Sequence, residues 1–380
     1  MSTSSRPIQP LSPTSAASPA LRALVNLRWG LLLAVVLLAL IGLATIQSAT
    51  AEMATGFLAR QVFWVGLGLL LLLLVMAVDY RVLMDLSVAL YAIGLAGLVL
   101  VLMVGQMRGG ARSWLGIGSL GGQPSELMKL AVVLALAKYL SRTDQPFLGL
   151  KEIAVGGAIV SVPMLLTAVE PDLGGAMMFL PILGGMILVA GIRAKTLLAL
   201  LVIGALAGAG LYFFGLKDYQ RQRVLTFLEP GADLQGSGYQ VHQSKIAVGS
   251  GQLTGRGYRQ GTQSQLRFLP ERHTDFIFAV LAEEWGFLGV AGVLGLYLLY
   301  FINAAAIAAR ARDRAGILLV AGLLSLFAAH VLYNTAMVIG LVPITGIPLP
   351  FLSYGGSFAL VNFLTAGIIL SVDLRRHVNR

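Results

Sequence analysis

The chain has 380 residues, 57% of them hydrophobic and only 12% charged. A soluble domain carries about 25% charged residues, so this composition excludes a soluble globular protein and describes one that crosses a bilayer repeatedly. The formal net charge of +10 does not point to nucleic acid, because most cations sit in short loops beside apolar spans; the absence of cysteine excludes disulfides, a thiol nucleophile and a thiolate metal site.

In chain order, residues 1–22 are rich in Ser, Pro and Ala and read as a disordered cytoplasmic tail. No basic stretch leads directly into an apolar run, so this is not a cleavable signal. Ten spans follow, at about 29–48, 60–78, 83–105, 124–140, 152–169, 173–191, 196–215, 275–308 (broken near Gly286), 314–340 and 353–373. The fold class is an all-α polytopic membrane protein, with residues 23–380 as one membrane domain. Cations decide the orientation: Arg22, Arg28, Arg81, Lys138, Arg142, Lys151, Arg193, Lys195, Arg310, Arg312, Arg314, Arg375, Arg376 and Arg380 all fall on one side. The excess of Lys and Arg puts that side, and both termini, in the cytoplasm. The long loop 216–274, between the seventh and eighth spans, is then extracytoplasmic.

That loop runs into the most polar segment of the second half. Pro270-Glu271-Arg272-His273-Thr274-Asp275 meets the start of an apolar helix, where ionisable groups are costly and mark a site by default. Thr274 or Asp275 could be a helix cap. Asp275 could also act as a general base on a hydroxyl, and a cap would fix the carboxylate for that task. Arg221, Arg223, Lys245, Arg256 and Arg259 accompany a Gly-rich run containing Gly249, Gly251, Gly255 and Gly257. They read as a solvated loop attracted to headgroups, or as a pyrophosphate site built from cations and backbone N–H groups.

Three further constellations lie elsewhere. Arg112-Ser113-Trp114 precedes Pro124-Ser125-Glu126, with Ser125 as a cap; Glu126 and Lys129 are three residues apart and share a helix face as a structural polar pair or as a cavity floor. Glu170-Pro171-Asp172 reads as a tight capped turn, or as one or two ligands for a divalent cation. Gly340–Ser357 holds prolines and glycines that cannot continue a helix, so it lines a cavity or a rim, with Ser353, Tyr354 and Ser357 supplying hydroxyls.

GTQSQLRFLPERHTDFIFAVLAEEWGFLG at 261–289 and GLVPITGIPLPFLSYGGS at 340–357 resemble the signatures of the SEDS family of cell-wall proteins. ARSWLGIG at 111–118, QPSELMKLA at 123–131, EPDLG at 170–174 and YQRQRVLTFLEP at 219–230 are similar to further family motifs. The wording leans toward the family's rod-shape branch rather than its division branch. The resemblance implies an inverting glycosyltransferase that polymerises lipid II into β-1,4 glycan strands outside the cytoplasmic membrane, releasing undecaprenyl pyrophosphate. A lipid II flippase or a division-type polymerase is the alternative. It implies Asp275 as the catalytic carboxylate and places Arg112, Asp172 and Arg223 on family motifs; taken with the reading of the residues, Arg112, Lys129, Arg223, Lys245, Arg256, His273 and Ser353 are the groups expected to bind substrate or pyrophosphate. It implies Glu126 with Lys129 as the buried pair and Asp172 as a metal-ligand candidate. A divalent cation (Mg or Mn) and no organic cofactor are expected. Expected partners are a class B penicillin-binding protein (the crosslinking transpeptidase) and other membrane proteins of the elongation complex. The sequence departs from the family at Glu170, where Gln is more usual, and at Phe358, where Ser is common.

Overall fold

A computed structural model describes residues 27–378, apart from 52, 54–55, 109–110, 117–120, 144, 216–217 and 229–235. The predicted tail 1–22 lies outside the described residues. Helices α1 (Trp29–Ala49) and α2 (Phe57–Ala77) are followed by a short α3 (Tyr80–Asp85) and α4 (Ser87–Val104). A small antiparallel hairpin, β1 (Gln106–Arg108) and β2 (Ala111–Trp114), then leads to α5 (Pro124–Leu140). It adds a feature to the expected all-helical chain. α6 (Leu150–Val169), α7 (Leu173–Met177), α8 (Phe179–Ala190) and α9 (Ala194–Gly210) complete the first part. The loop after them is helical, with α10 (Asp218–Leu228), α11 (Ser237–Ser250) and α12 (Thr262–Gln265). α13 (Ile277–Ala309), α14 (Arg314–Val338) and α15 (Gly356–Val378) end the chain.

Among the described residues, nine helical stretches are long and apolar enough to cross a membrane. The remaining predicted span is α5, which has 17 residues and carries Glu126, Lys129 and Lys138. Those charges are tolerated because α5 runs through the middle of the bundle, packed by α4, α6, α8, α14 and α15. α2 pairs with α15, and α13 packs on α1, α11 and α14. α9, in contrast, has no buried residue.

The two ends of the bundle differ. At one end cations tie neighbouring loops together: Arg81 reaches Asp313 at 2.9 Å, Lys138 reaches Asp85 at 3.2 Å, and Arg314 donates to the carbonyl of Ala190. The other end carries the hairpin, the α6–α7 turn, α10–α12 and the loop 340–355.

The break near Gly286 is present, at φ 64 and ψ −163 inside α13. Residues 251–257 repair it. The N–H groups of Arg256 and Gly257 donate to the carbonyls of Glu283 and Glu284, and those of Phe287 and Leu288 donate to Gln252 and Leu253. Backbone groups at membrane depth need partners, and this loop supplies them. The repair also explains the glycines. A Cβ at Gly251 would collide with the carbonyl of Ala282 and one at Gly255 with that of Glu284, while Gly255 and Gly257 both have positive φ. In the Gly-rich run the N–H groups of Arg256 and Gly257 are thus taken by the broken helix, and that of Gly255 by the carbonyl of Gly251.

Candidate active site

Asp275 lies between Thr274 and the first turn of α13. The helix is capped at Phe276 without a side-chain bond, so the carboxylate is not its cap. The Asp275 backbone is fixed instead. Asn334 of α14 donates its amide to the carbonyl of Asp275 and to that of Ile347, each at 2.8 Å. The loop 340–355 clamps the same segment, through Tyr354 N–H to the carbonyl of His273 and Ser353 Oγ to the carbonyl of Thr274 at 2.6 Å. The loop in turn rests on Tyr297, which donates to Pro350, and on Tyr333, which donates to Pro343. Irregular backbone is stable here because each turn of it is held by a helix side chain.

The Asp275 side chain faces the loop, where a Cβ added to Gly346 would stand 3.4 Å from Oδ2. On the other flank of that loop, Gly174 packs so closely on Thr345 that a Cβ would collide with its carbonyl. The α6–α7 turn and Asp275 therefore flank the same stretch of that loop, residues 345–346. Arg223 of α10 reaches in, with Nη1 3.4 Å from the carbonyl of Ile344. Burial raises the Asp275 pKa to about 7, helped by Glu271 and Asp172, while Thr274 and Arg223 pull it back.

Asp172 caps α7 as expected. Its Oδ1 accepts the N–H of Gly175 at 2.8 Å and its Oδ2 accepts the amide of Gln123 at 2.7 Å. Burial raises its pKa; Lys129 acts against that rise and Glu126 adds to it. Deeper in the bundle Lys129 is 1% exposed, bonded to Glu126 Oε1 at 2.8 Å and 3.5 Å from Nε2 of His330. With the ammonium donating to Nε2, the network assigns the His330 proton to Nδ1, which donates to the carbonyl of Pro348 at 3.2 Å. Lys129 and Glu126 act on Asp172 through their charge, as Asp172 and Arg223 do on Asp275.

The other expected residues separate into groups. The half-buried His273 ring sits edge-on to Phe57 at 5.1 Å and near Tyr354 at 5.6 Å. Burial lowers its pKa, so it is neutral at pH 7. Ser353 is 2% exposed, and its hydroxyl both donates to Thr274 and accepts the N–H of Leu349. Both bonds fasten the loop. Lys245 is exposed and packs against Gly340 at the end of α14. Arg256 belongs to the helix repair, about 12 Å along α13 from Asp275, and is not gathered with it. Arg112 pairs with Met107 in the hairpin, and its side chain lies outside the described residues. Ser125 is inside α5 and not its cap, because Pro124 takes the first helical position after Gln123.

His330, Glu283 and Glu284 were not among the expected site residues. Glu283 holds α12, accepting the N–H groups of Gln263 and Ser264, and Glu284 bonds Ser48 of α1. Each is ionisable within an apolar span, a signal present in the sequence. No three His, Asp or Glu side chains converge as a metal-ligand set among the described residues, and both oxygens of Asp172 are engaged.

Known proteins carry the same design. The chain is 40% identical to peptidoglycan glycosyltransferase MrdB of Escherichia coli K12 over 323 residues, 84% of this chain and 86% of that protein. It is 34% identical to a chain solved in a study of a peptidoglycan synthase complex that coordinates polymerisation and crosslinking, with a TM-score of 0.80 over 92% of this chain and 98% of that one. It is 31% identical to the rod shape determining protein RodA of Thermus thermophilus, with a TM-score of 0.69 over the same shares. The model of the cell cycle protein family that unites FtsW, RodA and SpoVE matches residues 22–378. With that match spanning the helical bundle and the cleft around Asp275, the chain belongs to the FtsW/RodA/SpoVE family.

Proposed function

We propose that this chain is a peptidoglycan glycosyltransferase of the RodA type, polymerising lipid II during cell elongation. The observation that carries the proposal is the placement of Asp275: α14 and the loop 340–355 hold the backbone of Thr274 and Asp275, and the carboxylate faces that loop beside Arg223 and the α6–α7 turn. The acceptor sugar's 4-hydroxyl attacks the donor's anomeric carbon from the face opposite the pyrophosphate, so configuration inverts. Asp275 takes the hydroxyl proton, and a pKa of about 7 suits a base working near neutral pH. Arg223 and Lys129 supply positive charge toward the leaving pyrophosphate. The lipid tail stays among the apolar helices while the head reacts in the cleft.

The donor set does not form a protein-built metal site, so a divalent cation would arrive with the pyrophosphate and take most ligands from its oxygens and water. No step is assigned to it. The cleft faces outward from the cytoplasmic membrane, and a class B penicillin-binding protein crosslinks the product strands. Similarity to a chain from a polymerising and crosslinking complex supports that partner.

The test is glycan synthesis from purified lipid II by the chain with its transpeptidase, wild type against Asp275→Ala, across pH 5.5–8.5. Removing a general base costs about 10²–10⁴-fold. The wild-type rate should rise through pH 7 as the carboxyl ionises. Equal polymer from both proteins would remove Asp275 from the chemistry. No polymer from either would overturn the assignment.

A further inference from the structure

We propose that the cleft between α4, α5 and α6, at the cation-rich end of the bundle, binds the headgroup and one acyl chain of an anionic glycerophospholipid. The cavity has a volume of about 230 Å³ and is lined by Ser87, Val88, Tyr91, Lys138, Arg142 and Ile159, among others. Its polar and apolar parts are separated as such a ligand needs. Among the described residues the Lys138 ammonium bonds Asp85, at 3.2 Å to the carboxylate and 3.3 Å to the carbonyl. Those two bonds are long and leave one ammonium N–H free of them. The Asp85 side chain is 78% exposed, so water screens the pair, whereas the Lys138 side chain is only 24% exposed and lines the cavity. Arg142 is exposed and adds a second cation at the mouth.

The Ser87 hydroxyl is fully buried and has no hydrogen-bond partner. A buried donor of this kind is costly, and rotation of the side chain toward the cavity would let a phosphate or glycerol oxygen satisfy it. Tyr91 is already engaged, donating to the carbonyl of Ile159 at 2.8 Å. Beyond the polar groups, Val88 is 70% and Val162 45% exposed, an apolar surface on which an acyl chain can lie. Among the described residues at the cavity, two cations stand against one screened carboxylate, which favours a headgroup with net negative charge; a zwitterionic lipid would bring its own cation toward Lys138 and Arg142. Basic clefts between membrane helices at the cytoplasmic leaflet suit this chemistry. The site is at the opposite end of the bundle from Asp275 and is separate from the transfer reaction.

The full chain is purified in detergent and titrated with phosphatidylglycerol or phosphatidylcholine of identical acyl chains, with native mass spectrometry counting bound lipid. One phosphatidylglycerol should be retained in preference to phosphatidylcholine. The Lys138→Ala/Arg142→Ala pair should weaken it about thirtyfold, from about fivefold per cation removed. Arg193→Ala/Lys195→Ala, at the same end, should leave it unchanged, and Asp85→Asn should strengthen it. Glycerol phosphate, which lacks the acyl chain, should not compete. Equal retention of both lipids, an equal loss in the Arg193/Lys195 control, or full competition by glycerol phosphate would overturn the proposal. Thermal melts in the same detergent identify a variant that has unfolded, and in that case Lys138→Glu alone, on a partly exposed side chain, carries the decision.

Discussion

Glu170 is a carboxyl that is 1% exposed, with no hydrogen-bond partner on either oxygen. Burial, with the Asp172 charge beside it, raises its pKa from 4.5 to about 8. The folded state therefore binds its proton more tightly than the unfolded chain does. That contribution to stability is complete below pH 4.5 and is lost as the pH rises toward 8. The family resemblance makes Gln the more usual residue here, an uncharged side chain of the same shape. Glu170→Gln should keep polymerase activity and remove the pH dependence. Thermal melts should show wild type losing about 3–4 kcal/mol between pH 5 and 8 while the variant stays level. A variant that melts in parallel with wild type across that range would show that Glu170 is solvated. The same logic explains which residues could be read directly. Asp275, Glu126 and Lys129 are ionisable groups beside or within apolar stretches, where a functional or paired role is the default. Ser353 carried no such mark, since its partners Thr274 and Leu349 could be found only by folding the loop.

At the scale of elements, the break in α13 shows why a helix can be anticipated and its repair cannot. Gly286 inside a long apolar run marked the kink. The residues that satisfy the exposed backbone groups lie some thirty positions earlier, and nothing in their spacing names Glu283 or Glu284 as their acceptors. The Gly-rich run looked like an anion cradle for the same reason, because glycine permits close backbone approach to a phosphate and to another backbone equally. Gly286 has φ and ψ open essentially to glycine alone, and a Cβ there would collide with the N–H of Gly255. Gly286→Ala should cost about 1–3 kcal/mol and reduce polymerisation, since the half-helix before it carries Asp275 at its mouth. Gly292→Ala, on the same helix with open space at the Cβ, should be neutral or slightly stabilising. Equal melting temperatures for wild type and Gly286→Ala would show that the break is not locked by its conformation.

For the whole molecule, the spans were legible from hydropathy, and the structure places their charges at two unlike ends. The loops around Arg81, Lys138, Asp313 and Arg314 meet at one end, and α10–α12 with the cleft lie at the other. From Phe287 to Ala309, α13 is about 35 Å long at 1.5 Å per residue, enough to cross a hydrocarbon core of about 30 Å. Positions on either side of it should therefore face different compartments. The chain contains no cysteine, so single cysteines report position without background. Gln260 and Arg312 are both exposed, one before α13 and one after it. In intact cells with a permeable outer barrier, a membrane-impermeant maleimide should label Gln260→Cys within minutes and leave Arg312→Cys unlabelled until the membrane is lysed. The reverse pattern would place the Asp275 cleft in the cytoplasm, where it could not build a strand outside the membrane. Labelling of both in intact cells would mean that α13 does not span. The cations around Arg312 set the expected direction, because they resist translocation while the long loop that holds Gln260 crosses largely regardless of charge.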